Sequence, residues 1–486
     1  MSLRESVARR FAVDPRALAA LRVALGALVL LDLALRSRSL VAFYTDRGVL
    51  PRSLLFELHP TLGRLSLHAL SGAAWFQWLL FAATAAAAVA LLAGYRTTLA
   101  TVVTGALVLS LQYRNPLVLN SGDTLLRMLF LWGVFLPLGE RWSVDAVVRE
   151  GSRRRRRVAS VATAGVLLQV VVLYAVNAVL KLRSDAWLSG RAVEYVFSLD
   201  MFLVGLGDVL AGHPGLLRAF SHLWLALVTA SGLLVVLTGW PRAALAGLFA
   251  AMHAGMLATM QLGVFPLVSI AALLPFVPPA AWDRLPARDR VPGLAELPVA
   301  AWQRRLRESL PLVSLPSLPA GLQTWRDRLV PAALSVVLAV VLVWNAATVG
   351  LVGVPGAAPV DQSPDPRWDM FAPSPLGTDY WFVAPTTLAS GERVDALHGA
   401  PVDWDKPPDV ADSYRSARWR KYLSNVRRAD SPAVGVALAD YLCGRLERAG
   451  RNPVAVAVYA VGQETRLHGP EPVERTLLAE ADCSPD

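Results

Sequence analysis

Lys181 carries the clearest chemical potential in this sequence. Of 47 basic residues only Lys181, Lys406 and Lys421 are lysine, and Lys181 alone falls in the apolar part of the chain. Arginine serves nearly everywhere else that a cation is needed. Lysine, unlike arginine, can lose its proton when desolvated and become a neutral amine base or nucleophile. Asn177 and Tyr174 precede Lys181 at helical spacing, so the three form a polar stripe down one helix face. The bland alternative is a lysine that snorkels to the membrane surface as an ordinary helix terminator. The bias toward arginine weighs against it, because arginine would snorkel as well.

Other ionisable residues in apolar segments are candidates because their burial is costly. Asp123 and Arg127 have the i, i+4 spacing of an ion pair along one helix face. They read either as a structural pair or as the lining of a polar cavity on the side of Lys181, with Asn120 and Ser121 capping the helix. His253 lies near the middle of a later span and His222 near the end of another. Either is a hydrogen-bonded packing residue or a proton-transfer group. Metal chemistry has no support, since HExxH, CxxC and acidic clusters are absent, as are Walker, GxGxxG and GxSxG motifs. The net charge of +10 comes without a basic-aromatic module, so no nucleic-acid partner is expected.

These residues need a membrane scaffold to position them. The chain has 486 residues, 55% hydrophobic and 17% charged, whereas soluble chains carry about 25% charged residues. Residues 1–353 are dense in Leu, Ala and Val, and residues 354–486 read as a soluble domain. A span needs about 20 apolar residues. Candidates are 16–36, 72–94, 97–113, 122–139, 158–182, 216–239, 242–261, 264–280 and 329–353. The first runs on from the N-terminal region at full length, unlike a cleavable signal peptide.

Basic loops face the cytoplasm. Arg4, Arg9, Arg10 and Arg16 place the N-terminus inside. Arg153 to Arg157 follow the fourth span, and Arg284, Arg288, Arg290, Arg304, Arg305 and Arg307 follow the eighth. Both clusters then fall inside, and an odd count puts 354–486 outside. Cys443 and Cys483 lie in that outer part, where an oxidising compartment permits a disulfide. The segment 183–215 reads as a short interfacial or re-entrant element. The segment 281–327 reads as a cytoplasmic linker with an amphipathic helix near Trp302–Leu310. In the tail, Asp379–Val383 and Arg393–Leu397 suggest a hairpin, and Ala433–Arg448 a helix. The expected fold is mainly α, a polytopic bundle of about nine transmembrane helices with a small C-terminal α+β extramembrane domain.

Several short motifs occur in an order that resembles the HTTM-domain proteins, microbial relatives of the vitamin K-dependent gamma-glutamyl carboxylase. They are Arg22-Val-Ala-Leu-Gly26 with Leu31-Asp32, Gly94-Tyr95-Arg96, Asn115-Pro116 and Asn120-Ser121-Gly122-Asp123. Trp142-Ser143-Val144-Asp145 is the most distinctive. Lys181-Leu182 follows, with Asp185 and Trp187-Leu188-Ser189-Gly190. His253, the stretch from Gln261 to Phe265, Leu274-Pro275 and Trp368 to Pro373 complete the likeness, which covers about residues 16–425.

The resemblance implies that Lys181 is a base that deprotonates a reduced lipid quinone of menaquinone or vitamin K type. Oxygen then adds, and the resulting strong base takes a proton from a substrate; in the carboxylase that substrate is a glutamate side chain, and carbon dioxide traps the carbanion. Gly122 and Asp123 stand where the animal carboxylase has a histidine, and the tail is shorter, so the protein substrate is not implied. On this reading the protein is a carboxylase- or quinol epoxidase-like enzyme, of lyase or monooxygenase type. Lys181 and His253 are catalytic, and Asp123, Arg127, Tyr174, Asn177 and Trp187 surround the quinone. The substrate is an extracytoplasmic peptide or small molecule. A rival is a transporter or scaffold that keeps only the fold. A mere scaffold, however, has no need for its single membrane lysine to stand at the family's active-site position.

Overall fold

The computed structural model describes residues 3–148, 156–284, 320–353 and 371–483. The amphipathic helix expected near Trp302–Leu310, and Trp368 to Met370, lie outside the described residues. A helix stands at each of the nine expected positions. They are α1 Pro15–Ser37, α2 Ala74–Ala93, α3 Thr97–Arg114, α4 Ser121–Gly133, α5 Val161–Lys181, α6 Pro214–Thr229, α7 Gly239–Thr259, α8 Phe265–Leu273 and α9 Ala320–Thr348. Five are long and apolar enough to cross a membrane: α1, α2, α5, α9, and α6 with its continuation to Val236.

Two helices are shorter than expected. The segment 122–139 is helical only to Gly133, because Pro137 cannot continue a helix and disfavours helical backbone just before it. Pro275 likewise tightens the end of α8 into a 3-10 turn over Leu274–Phe276. At about 1.5 Å per residue, neither matches a hydrocarbon core of about 30 Å. Starts are better marked. Asp14 caps α1 with Pro15 behind it, Asn120 and Asp123 form a capping box on α4, and Ser160 with Thr163 forms another on α5. Close packing between α4 and α5 depends on Gly165, where a Cβ would collide with the Trp132 ring.

Contacts between helix ends show that the helices alternate in direction. At one side Val13 bridges Val158, Arg16 pairs with Asp283 at 2.7 Å, and Arg242 donates to the Arg10 carbonyl at 3.0 Å. The same side holds a clamp built from three of the short sequence motifs. Arg22 is fully buried and donates to the Leu91 and Leu92 carbonyls at 2.8 and 2.6 Å, closing the open end of α2. It also donates to the Trp142 carbonyl at 2.5 Å. Gly94 turns the chain at φ +70°, and a Cβ there would strike Ser143 and Arg22. Asp145 then accepts from the Arg96 and Thr97 amides at 2.9 and 2.8 Å, capping α3. Those motifs therefore fasten four helices together rather than doing chemistry.

The tail folds as a sheet backed by one helix, α11 Ala433–Arg448, with α10 Ala417–Arg428 packed against α11 and the helical bundle. All pairings are antiparallel. β4 Pro453–Glu464 is central, with β5 Val473–Asp482 along one edge and β1 Thr378–Val383 and β2 Pro385–Leu388 in succession along the other. β3 Arg393–Asp395 pairs with β2. The expected hairpin is thus corrected: Asp379–Val383 pairs with β4, and the turn before Arg393 closes on β2. A disulfide joins Cys443 on α11 to Cys483 just past β5.

The tail is seated on the other side of the bundle by a buried ion network. Arg36 near the end of α1 binds Asp32 at 2.7 Å and Asp123 at 2.6 Å. Arg418 of α10 binds Asp32 at 2.6 Å and Asp123 at 3.1 Å. Two carboxylates thus share two guanidiniums, and Tyr44 adds its hydroxyl to Arg36 at 2.7 Å. Trp419 donates to Ser39, and Asn425 to the Leu117 carbonyl at 2.7 Å. Lys406 bridges Asp379 of the tail and Asp200 of the loop after α5, at 3.0 and 2.7 Å.

Candidate active site

The α5 helix ends on Lys181, whose side chain is buried. The chain then turns back through a short helix, Asp185–Leu188, which brings Trp187 beside the amine. The Lys181 nitrogen lies 3.9 Å from the centroid of the Trp187 ring, a desolvated cation–π geometry. Both side chains converge on the carbonyl of Phe371, at the start of the described tail. Trp187 Nε1 donates to it at 2.9 Å, and Lys181 Nζ approaches it at 3.5 Å, long for a hydrogen bond. Ser184 meets Ser374 at 3.1 Å, tying the same two strands of chain together. The tail therefore completes the setting of the lysine.

Lys181 heads a cavity of about 360 Å³ lined mainly by α5, α6 and α7, a size that suits a small organic ligand. Asn177 and Tyr174 line it below the lysine, as their spacing predicts. The remaining wall is largely apolar, with Leu173, Leu223, Leu227, Met252 and Met256 among its residues. His253 of α7 faces Tyr174 across the space, and the Tyr174 hydroxyl and His253 Nε2 are 2.8 Å apart. The pair is held rigidly. Tyr174 stacks on Phe249 with centroids 4.2 Å apart, and Trp224 meets both Tyr174 and His253 edge-on. His253 Nδ1 is buried with no hydrogen-bond partner among the described residues. A buried nitrogen left in that state costs about 1–3 kcal/mol unless a ligand or water meets it.

Five of the seven sequence candidates thus come together: Lys181, Trp187, Asn177, Tyr174 and His253. Asp123 and Arg127 do not join them, and the ion pair expected between them does not form. Asp123 accepts from the Asn120 amide at 2.9 Å as a cap and is held by Arg36 and Arg418, so it points toward the start of α4. Arg127, one turn later, donates to Thr124 at 2.9 Å. Sequence reasoning missed Phe371 as a partner of the lysine, and a backbone carbonyl leaves no sequence signal. It also passed over Arg36. There a signal exists, since Asp32 and Arg36 are an i, i+4 ion pair inside an apolar span.

Fold and site together define a multi-pass membrane protein whose helical core encloses an apolar cavity with an amine at its head and a tyrosine–histidine pair on its wall. The HTTM domain family model matches residues 11–282, more than half of the chain, and the protein belongs to that family. The family name is consistent with a relation to the vitamin K-dependent carboxylase. No curated protein and no solved structure matches the chain.

Proposed function

We propose that the protein is an enzyme that uses a reduced lipid quinone and oxygen, with Lys181 as its base, on the side of the membrane where the tail lies. The observation that carries this reading is the cavity itself: a largely apolar space that places one lysine amine and one tyrosine–histidine pair against the same volume. The residues fit a quinol ring. Its faces would meet the apolar and aromatic wall, and Lys181 at the head of the cavity offers a polar partner for a ring oxygen. When bound, the quinol supplies the reducing equivalents for reaction with oxygen.

The chain's own residues do the rest. Lys181 accepts a proton at Nζ, for which a neutral amine suits and a guanidinium does not. Trp187 and the Phe371 carbonyl fix the direction of that nitrogen. Tyr174 and His253 form a hydrogen-bonded unit that can hold or relay one proton. The apolar wall keeps water away from any strong base formed there. The substrate is a peptide or small molecule presented from the tail side. In this reading all nine helices cross or re-enter the membrane, the N-terminus is cytoplasmic, and residues 354–486 lie outside; the Cys443–Cys483 bridge supports that placement.

The test is oxygen consumption by the purified protein in lipid nanodiscs, supplied in turn with menaquinol and vitamin K hydroquinone, with quinone epoxide as the second readout. Wild type should turn over with at least one quinol, and Lys181→Ala should fall to background. Equal rates for the two proteins would remove Lys181 from the mechanism. Absence of turnover with every quinol would favour a transporter or scaffold.

A further inference from the structure

A second cavity, of about 290 Å³, adjoins the first across Phe265 and Phe371, which line both. One of its walls is cationic. Arg420, Lys421, Arg427 and Arg428 line it, and no carboxylate does among the described residues. All four come from α10, whose opposite face buries Trp419, Tyr422, Leu423 and Val426 in the core. Like charges gathered on one helix face repel one another. On this same helix Arg418 is neutralised by Asp32 and Asp123. Arg420 and Arg427 are treated differently. Arg420 donates to the neutral oxygens of Met201 and Gln261 and lies over the Phe202 ring. The Arg427 guanidinium lies 4.0 Å over the Tyr380 ring and makes no ion pair or hydrogen bond among the described residues.

Helix ends add to the field. Ser121 and Phe265, the first residues of α4 and α8, also line the space. The α4 end is already capped by Asn120, but the N-cap of α8 is Val264, which offers no side-chain acceptor. Backbone amides at such an end favour an anion. This face of α10 lies beyond the residues matched by the family model.

We infer that this cavity binds a phosphate-bearing ligand, through Arg427 and its neighbouring cations on α10 and the amino end of α8. Phosphate suits the site better than a lone carboxylate, because it brings more than one charge and several acceptor oxygens to a multiply cationic wall. A phospholipid headgroup and a water-soluble phosphate ester share that chemistry. A ligand anchored there would rest its body against Phe371, the wall shared with the lysine cavity. That consequence depends on the proposed function, whereas binding does not.

The test uses the full-length protein in uncharged detergent at constant ionic strength. Calorimetric titration with inorganic phosphate and glycerol 3-phosphate reads the soluble source. Native mass spectrometry with phosphatidic acid and phosphatidylcholine reads the lipid source. At least one arm should show saturable binding of one equivalent. Arg427→Gln should weaken it by about tenfold or more, as expected for loss of a charge-assisted contact. Arg448→Gln, which removes an exposed charge on α11, should leave it unchanged. If Arg427→Gln does not fold, Lys421→Gln takes its place with the same expectation. Lys181→Ala should bind phosphate normally, so failure here and failure of the enzymatic reading remain separate results. Absence of saturable binding of every probe, equal binding by the Arg427 variant, or succinate competing as well as phosphate would each overturn the inference.

Discussion

The decisive contacts at the residue scale are those around the Lys181 nitrogen. An ammonium over an indole gains about 2 kcal/mol when desolvated, and Trp187 also holds the Phe371 carbonyl through its ring nitrogen. Trp187→Phe keeps an aromatic face but removes that donor, whereas Trp187→Leu removes both. The expected order of kcat in the quinol assay is wild type, then Trp187→Phe, then Trp187→Leu, with the last down by about tenfold or more and KM changed much less. Equal kcat for the three proteins would leave Trp187 as packing only. The lysine stripe was legible in the sequence because helical spacing is enough to align Tyr174, Asn177 and Lys181. The partnership with Phe371 was not, since it links positions 190 residues apart through a backbone atom.

Between elements, the ion network of Asp32, Arg36, Asp123 and Arg418 joins α1, α4 and α10. Such a network is a weak source of net stability, because desolvation offsets most of the attraction, but breaking it by removing one partner is costly. Arg418→Ala leaves two buried carboxylates facing one guanidinium. It should destabilise the seated tail by about 3–5 kcal/mol, seen as a lower thermal transition and faster proteolysis of the tail in nanodiscs. A change within measurement error would mean that the apolar contacts of α10 seat the tail without it. Element bounds were readable where capping chemistry is strong. Gly450, at φ +74°, turns the chain just past the end of α11, and Ala433–Arg448 is found at its expected limits. Strand pairing was not readable, because β4 comes from 70 residues further on and displaces the nearer β3 from the side of β1. Local alternation identifies a strand but not its partner.

Taken whole, the molecule is a helical core with its tail folded onto the ends that carry the lysine. The composition shift and the basic clusters already separate these two parts, but the shortness of α4 and α8 is decided by Pro137 and Pro275 acting on local backbone rather than by hydropathy. The proposed topology has a clean probe, because both native cysteines are consumed in a disulfide. Ala400 is exposed in the tail. An Ala400→Cys variant should react with a membrane-impermeant maleimide added to intact cells. Reaction only after lysis would place the tail in the cytoplasm and overturn the odd number of crossings.

The ion network also imposes an order on synthesis. Asp32 and Asp123 emerge early from the ribosome with only Arg36 to balance them, while Arg418 follows Asp123 by 295 residues. At translation speeds of about 5–20 residues per second, the nascent core carries one uncompensated negative charge for tens of seconds. The network can therefore close only once the last quarter of the chain has been made, so the ion pairs of the core are completed by its tail.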